Sequence, residues 1–231
     1  MLEVHRRELK YLISLTEAAN LKAKLGQLMK PDPNNKEDGY LVRSLYFDTL
    51  YDSDFEDKVQ GYDNRQKIRL RIYNVNADFA KLELKEKSGI HQRKRSLTVS
   101  RTEAEQMSRS DYSFLGNRAE PFAKWLYAFM LSRNYKPKCV VEYNRQAYYV
   151  EQNDIRVTID ANLRATEASF ALFQPNLITY PVNKPGEITL EVKYNNFLFT
   201  YIKIILGHIG RTQISNSKYC RARMVMKKGR W

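Results

Sequence analysis

Three stretches of the sequence place a carboxylate two residues before an ammonium: Glu8–Lys10, Glu83–Lys85 and Glu191–Lys193. In an extended strand alternate residues project to the same side, so each pair would set an acid beside a base on one face. A fourth pair, Glu56–Lys58, falls in a run that reads as helix, and the plain alternative for the others is a neutralising cross-strand charge ladder. Company turns the balance toward chemistry, because Arg69, Arg71, Lys94, Arg145 and Arg156 take the same faces. Basic groups collected in a water-poor channel bind phosphate oxygens strongly, arginine as a bidentate fork. Carboxylates among them would be out of place unless they hold a divalent cation that bridges phosphates.

The element that must position this chemistry is the run 65–87, RQKIRLRIYNVNADFAKLELKEK. Its period-two alternation predicts two strands around a short turn. Ile68, Leu70 and Ile72 share one face, and Arg65, Lys67, Arg69, Arg71 and Tyr73 the other. In the second run Leu82 and Leu84 oppose Lys81, Glu83, Lys85 and Lys87. One such strand fits a solvated charged face; several with the same basic stripe predict a concave surface built for a polyanion.

Taken in order, 5–15 alternates as a strand with Arg6, Glu8, Lys10 and Leu12 on one face. Ser14 or Thr16 then caps a helix to about residue 29, striped by Leu21, Leu25 and Leu28. A turn-rich loop leads to a strand at 40–49 and a short helix at 51–60, stopped by Gly61. After the central hairpin, Ser88-Gly89 turns into a strand at 90–100. Helices fit 102–109 and 118–132, the latter with Pro121 in its first turn. Strands at 138–150, 154–165 and 186–195 precede helices at 197–209 and 218–227. Strands in hairpin succession with polar stripes on one side predict an α+β fold. Its expected form is a single domain over 1–231, a closed eight-stranded antiparallel β-barrel with a charged lumen and helices packed outside.

The excess of 39 Lys+Arg over 26 Asp+Glu, a net charge of +13, implies anionic partners without choosing among nucleic acid, phosphate compounds and membrane surface. Two cysteines, Cys139 and Cys220, form no framework, so a reduced, cytoplasmic setting is expected and both read as buried thiols. The start, MLEVHRRELKY, lacks the apolar core of a signal peptide, and the most apolar run, 197–206, is too short to span a bilayer and contains Lys203. His5, His91 and His208 show no ligand spacing, and neither a Gly-rich phosphate loop nor a Ser-His-Asp pattern is present. The sixteen tyrosines reflect β-propensity, with Tyr46, Tyr143 and Tyr219 placed to reach a phosphate or nucleobase.

In order along the chain, HRRELKY, VRSLYFDT, KIRLRIY, LELKEK, VEYNRQAYY, DIRVTID, LEVKY and SNSKY resemble the VTC domain. This is the polyphosphate polymerase domain of the triphosphate tunnel metalloenzyme superfamily, and the resemblance covers almost the whole chain. It implies an eight-stranded antiparallel tunnel acting on tripolyphosphate-containing substrates with Mn²⁺ or Mg²⁺. Carried over by motif, it implies a catalytic basic set of Lys10, Arg69, Arg71, Lys85, Arg145, Arg156, Lys193 and Lys218. Lys94 joins them in preference to Arg93 or Arg95, because Leu97 and Val99 take the opposite parity. Glu191 matches the metal-holding carboxylate, and Arg6, Glu8, Tyr46, Ser217 and Tyr219 are expected around the substrate.

The hydrolase branch of the superfamily begins Glu-x-Glu-x-Lys; here Arg6 stands in place of the first carboxylate, which fits the polymerase branch. The activity implied is metal-dependent transfer of the ATP γ-phosphate to a growing inorganic polyphosphate chain. A tripolyphosphate or nucleoside triphosphate hydrolase is the alternative, followed by a non-catalytic polyanion-binding barrel. Expected partners are ATP and inorganic polyphosphate, with a membrane-protein or homo-oligomer partner left open. Nucleic acid is not expected, since its binders display aromatic stacking platforms on an open groove.

Overall fold

Alternation builds strands where the sequence predicts them, as a computed structural model of the chain shows for residues 6–89, 91–207, 213–215 and 217–228. The elements are β1 (Arg6–Ile13), α1 (Leu15–Leu28), β2 (Lys30–Pro31), β3 (Tyr40–Thr49), α2 (Ser53–Val59), β4 (Arg65–Ile72), β5 (Phe79–Ser88) and β6 (His91–Ser100). They continue with α3 (Arg101–Ser108), α4 (Ser113–Gly116), α5 (Pro121–Ser132), β7 (Tyr135–Val150), β8 (Ile155–Thr166), β9 (Tyr180–Pro181), β10 (Ile188–Asn195), α6 (Thr200–Gly207) and α7 (Lys218–Lys228). The chain divides into two compact units. One comprises Met1–Leu41, Tyr143–Leu163 and Asn183–Asn216; the other comprises Val42–Glu142, Arg164–Val182 and Ser217–Trp231. The expected positions of His5 and His208, the end of the helix expected at 209, and the side chain of Arg6 lie outside the described residues.

In the first unit β1 pairs antiparallel with β10, and β10 with β8. One sheet face carries Val157, Ile159, Leu190 and Val192, packed on Ala18, Leu21 and Leu25 of α1 and Ile202 and Ile205 of α6. Ser14 opens α1 with a capping box: its hydroxyl accepts from the Glu17 amide while the Glu17 carboxylate accepts from the Ser14 amide. The expected stripe needs one correction, because Leu28 is exposed. The backbone turns extended at Met29, the C-cap, and Met29 enters the core in its place. The loop expected after α1 also holds β2, which pairs with Tyr148 and Tyr149.

In the second unit β4 lies between β3 and β5, and β5 pairs onward with β6, all antiparallel. Leu45, Phe47, Ile68, Leu70, Ile72, Leu82, Leu84 and Val99 form one face. Ala104 and Met107 of α3, Leu115 of α4 and Ala123, Leu126 and Met130 of α5 pack on it, as the helix-covered apolar face predicts. The helix expected from 118 begins only at Pro121, whose fixed φ and missing N–H suit the first helical position. Arg118 instead reaches the Glu103 carboxylate, at 2.7 Å. No helix among the described residues is long and apolar enough to cross a membrane.

Two buried acids organise the start of α2. The Asp48 carboxylate accepts from the amides of Asp54 and Phe55 at 2.9 and 3.0 Å and from the Tyr219 hydroxyl at 2.7 Å. It serves as a remote cap for a helix whose own N-cap side chain makes no capping bond. Asp54 receives the Tyr135 hydroxyl on both oxygens, and Gln66 donates to that hydroxyl at 2.7 Å. Burial, helped by the neighbouring Asp48 charge, pushes the Asp54 carboxyl up to about 8. The folded protein therefore keeps a proton that the unfolded chain releases near pH 4, so stability should fall as pH rises from about 4 to about 8. Asp54→Asn keeps an acceptor for Tyr135 and cannot ionise. Its thermal midpoint should lose less than that of the wild type between pH 5 and 8.5; equal losses would contradict the assignment.

Candidate functional site

The polar face of the β3–β6 sheet brings the central arginines around one carboxylate. Tyr46, Arg69, Glu83 and Ser96 stand in cross-strand register on four neighbouring strands. Arg69 Nε donates to Glu83 Oε2 at 2.7 Å, its Nη1 donates to the Tyr46 hydroxyl at 3.1 Å, and Lys94 closes on the other Glu83 oxygen. Glu83 is only 3% exposed, so burial opposes its ionisation. Arg69, Arg71 and Lys94 outweigh that cost and hold the carboxyl at about 2. The same reversal acts on Tyr46: burial raises its phenol, but Arg69, Arg71 and Lys67 bring it below the ordinary value. Arg71 is buried and donates to Ser44 Oγ at 3.0 Å.

Beside this group, Lys67, Lys85 and Lys94 align in register on β4, β5 and β6. Lys67 Nζ donates to Ser217 Oγ at 2.7 Å, and that hydroxyl also accepts from the Cys220 amide at 3.3 Å in the first turn of α7. Lys218 begins α7. Tyr219 is buried, donates to Asp48 and stacks on Tyr46 with ring centroids 5.0 Å apart. Parity separates the RKR run as expected: Lys94 lies with Lys85, whereas Arg95 lies over the Trp125 and Phe122 rings and pairs with Glu86.

The first unit carries a second polar face. Glu8, Lys193 and Arg156 form one cross-strand row, and Lys10, Glu191 and Thr158 form the next. Lys10 pairs with Glu8 at 2.7 Å, and Lys193 Nζ lies 2.6 Å from Glu191 Oε1. Arg145 forks onto the buried Asp160 at 2.7 and 2.8 Å and comes within 3.8 Å of Glu191. Burial alone would lower the guanidinium pKa; Asp160 and Glu191 overcome it and raise it. Arg156 stands at the more open end, 2.9 Å from Asp32. Among the described residues no group of three or more His, Cys, Asp or Glu side chains could hold a metal ion. A cation at Glu191 would therefore draw on hydroxyl, water and phosphate oxygens, a set that suits Mg²⁺ or Mn²⁺.

Of the expected residues, the second unit gathers Tyr46, Arg69, Arg71, Lys85 and Lys94 on one sheet face, with Ser217 joined to them through Lys67; the first gathers Glu8, Lys10, Arg145, Arg156, Glu191 and Lys193. Asp160 and Lys67 are absent from the expected site set, and Glu83 enters the sequence reading only through its pair with Lys85, although each shares strand parity with an expected residue. The backbone of Arg145 is itself closely packed. Gly39 has φ +81°, and a Cβ there would meet the Arg145 carbonyl oxygen at 2.5 Å. Gly39→Ala should cost roughly 1–3 kcal/mol, measured by denaturant unfolding, through left-handed strain and this clash.

Comparison with known proteins places these clusters in context. The model of the VTC domain matches residues 5–227. No curated protein matches the chain. Among solved structures, a protein of Bacillus halodurans, provisionally named an adenylate cyclase, superposes with a TM-score of 0.52 at 14% identity, covering 92% of this chain and 95% of that one. A Vibrio parahaemolyticus protein with the same provisional name gives 0.49 at 11% identity, over 95% and 98% of the two chains. The first likeness supports the fold: an α+β architecture of antiparallel strands with helices.

Proposed function

The chain belongs to the VTC domain family, and from that premise we propose that it is a metal-dependent polyphosphate polymerase. It would transfer the γ-phosphoryl group of ATP to the end of an inorganic polyphosphate chain. One observation carries this reading: Lys67, Lys85 and Lys94 stand in register on three adjacent strands. Like charges directly opposite one another destabilise a sheet; Glu83 offsets Lys94 and Ser217 accepts from Lys67, and an anion held along the row would offset the three charges together. Closure of the strands into a tunnel belongs to the same reading.

Phosphoryl transfer asks mainly for positioning and charge neutralisation. Arg69, held by Glu83, and Arg71, held by Ser44, present guanidinium donors whose directions are fixed before substrate arrives. Lys85, Lys94 and Lys67 would neutralise phosphate oxygens along one row, and Lys10, Lys193, Arg145 and Arg156 would do so on the other polar face. Glu191 would hold Mn²⁺ or Mg²⁺, which supplies Lewis-acid neutralisation of phosphate oxygens when bound. The nucleophile is a terminal phosphate oxygen, largely ionised near neutrality because its second pKa is about 6. It bonds to the γ-phosphorus as the bond to the β-phosphate oxygen breaks and ADP leaves; no general base is needed.

The test incubates purified protein with ATP and Mn²⁺ and separates polymer, ADP and orthophosphate. Polymer with stoichiometric ADP is the expected result. Orthophosphate alone across ATP and metal concentrations would replace the polymerase with a hydrolase. Tight polyphosphate binding without either product would leave a binding module.

A further inference from the structure

The geometry points to Thr158 as a second protein ligand, through its hydroxyl oxygen, for a divalent cation at Glu191. The inference rests on the reading that Glu191 holds the metal. Thr158 is the β8 residue in register with Glu191 on β10, which is in turn in register with Lys10 on β1. Paired positions on neighbouring strands share a sheet face, so the hydroxyl and the carboxylate are side-chain neighbours. Thr158 is 3% exposed, and its Oγ1 is buried without a hydrogen-bond partner. A buried hydroxyl left in that state is a standing cost, and valine of the same shape would avoid it. The residues before and after it, Val157 and Ile159, face the apolar core, so the hydroxyl is confined to the polar side.

The surroundings decide what the hydroxyl is for. Lys10, Lys193, Arg145 and Arg156 crowd this face with N–H donors, so a phosphate group there has no need of another. Oxygen lone pairs are scarce: both Asp160 oxygens receive Arg145, and one Glu191 oxygen receives Lys193. A hard cation needs about six oxygens, and Thr158 offers one that no described residue uses. A neutral hydroxyl beside a carboxylate is a donor set that Mg²⁺ accepts elsewhere, as in the Ser/Thr of phosphate-binding loops.

Mn²⁺ titration of the full chain without phosphate, followed by electron paramagnetic resonance, reads the site apart from turnover. Thr158→Val should bind Mn²⁺ at least about fivefold more weakly with an unchanged or higher thermal midpoint, and Thr158→Ser should restore binding. Wild-type Mn²⁺ affinity in Thr158→Val, with binding lost in Glu191→Gln, would overturn the role of Thr158 and leave the metal reading intact. Undiminished affinity in Glu191→Gln, or no binding by the wild type, would overturn both. Weaker polyphosphate binding by Thr158→Val in EDTA, with Mn²⁺ affinity unchanged, would make the hydroxyl a phosphate donor and also overturn the proposal. If the valine variant fails to fold, Thr158→Ala carries the same comparison.

Discussion

Glu191→Gln is expected to fold like the wild type and to lose Mn²⁺-dependent turnover by roughly 10²–10³-fold, the range seen when one preorganised electrostatic group is removed. The substitution keeps shape and an acceptor oxygen for Lys193, which lies 2.6 Å from Glu191 Oε1. What disappears is the negative charge. On this face Lys10 and Lys193 are strand neighbours and Arg145 approaches within 3.8 Å. Without Glu191 the local field repels a divalent cation. The competing account makes Glu191 an ion-pair partner for Lys193 and nothing more. It predicts a lower thermal midpoint with the metal dependence unchanged. Circular dichroism melts and turnover across a Mn²⁺ series on one preparation separate the two, and full activity in the variant would remove Glu191 from the site.

The strand face that Glu191 shares with Lys193 is legible in the sequence, because it needs only a strand and its parity; the metal role proposed for it comes from the family resemblance. The same holds for the stripe of Arg69 and Arg71 and for the parity that sets Lys94 apart from Arg95, whereas the sequence leaves the cap open between Ser14 and Thr16 and the structure places it at Ser14. What escaped were properties set by residues distant in sequence. In the sequence Glu83 is one of three strand Glu-x-Lys acids and nothing sets it apart; its weight comes from Arg69 and Lys94 meeting on its two oxygens. Asp48 and Asp54 carry no visible signal, since their pairing with Tyr219 and Tyr135 joins segments 171 and 81 residues apart, and Asp48 caps α2 from outside the usual N-cap position, six and seven residues before the amides it receives. Leu28 kept the helical period yet lies exposed, because the backbone turns extended at the next residue. The four-residue α4 and the two-residue β2 and β9 are shorter than any period can reveal. Asp160 was within reach: it follows Arg156 and Thr158 at even spacing in DIRVTID, and a carboxylate on a strand face rich in arginine invites a partner.

That partner sets the largest expected change in stability. Arg145→Met should destabilise the fold by roughly 3–5 kcal/mol, because it removes the guanidinium from a carboxylate that is almost fully buried and leaves the charge uncompensated. Asp160 is 1% exposed and receives two of the Arg145 nitrogens, at 2.7 and 2.8 Å. Arg145→Met with Asp160→Asn removes both charges, so most of the lost stability should return, and urea unfolding of the wild type, both single variants and the double variant measures the coupling. Activity should not return with it. Arg145 also comes within 3.8 Å of Glu191, and a neutral side chain there offers phosphate no fork. A pair that served only to hold β7 against β8 would instead give a double variant that regains turnover together with stability. Polyphosphate affinity measured in EDTA adds a readout that stability does not move: it should fall in Arg145→Met and stay low in the double variant, whereas Asp160→Asn alone should keep it. Recovery of affinity in the double variant would assign Arg145 to the fold and take it out of the phosphate site.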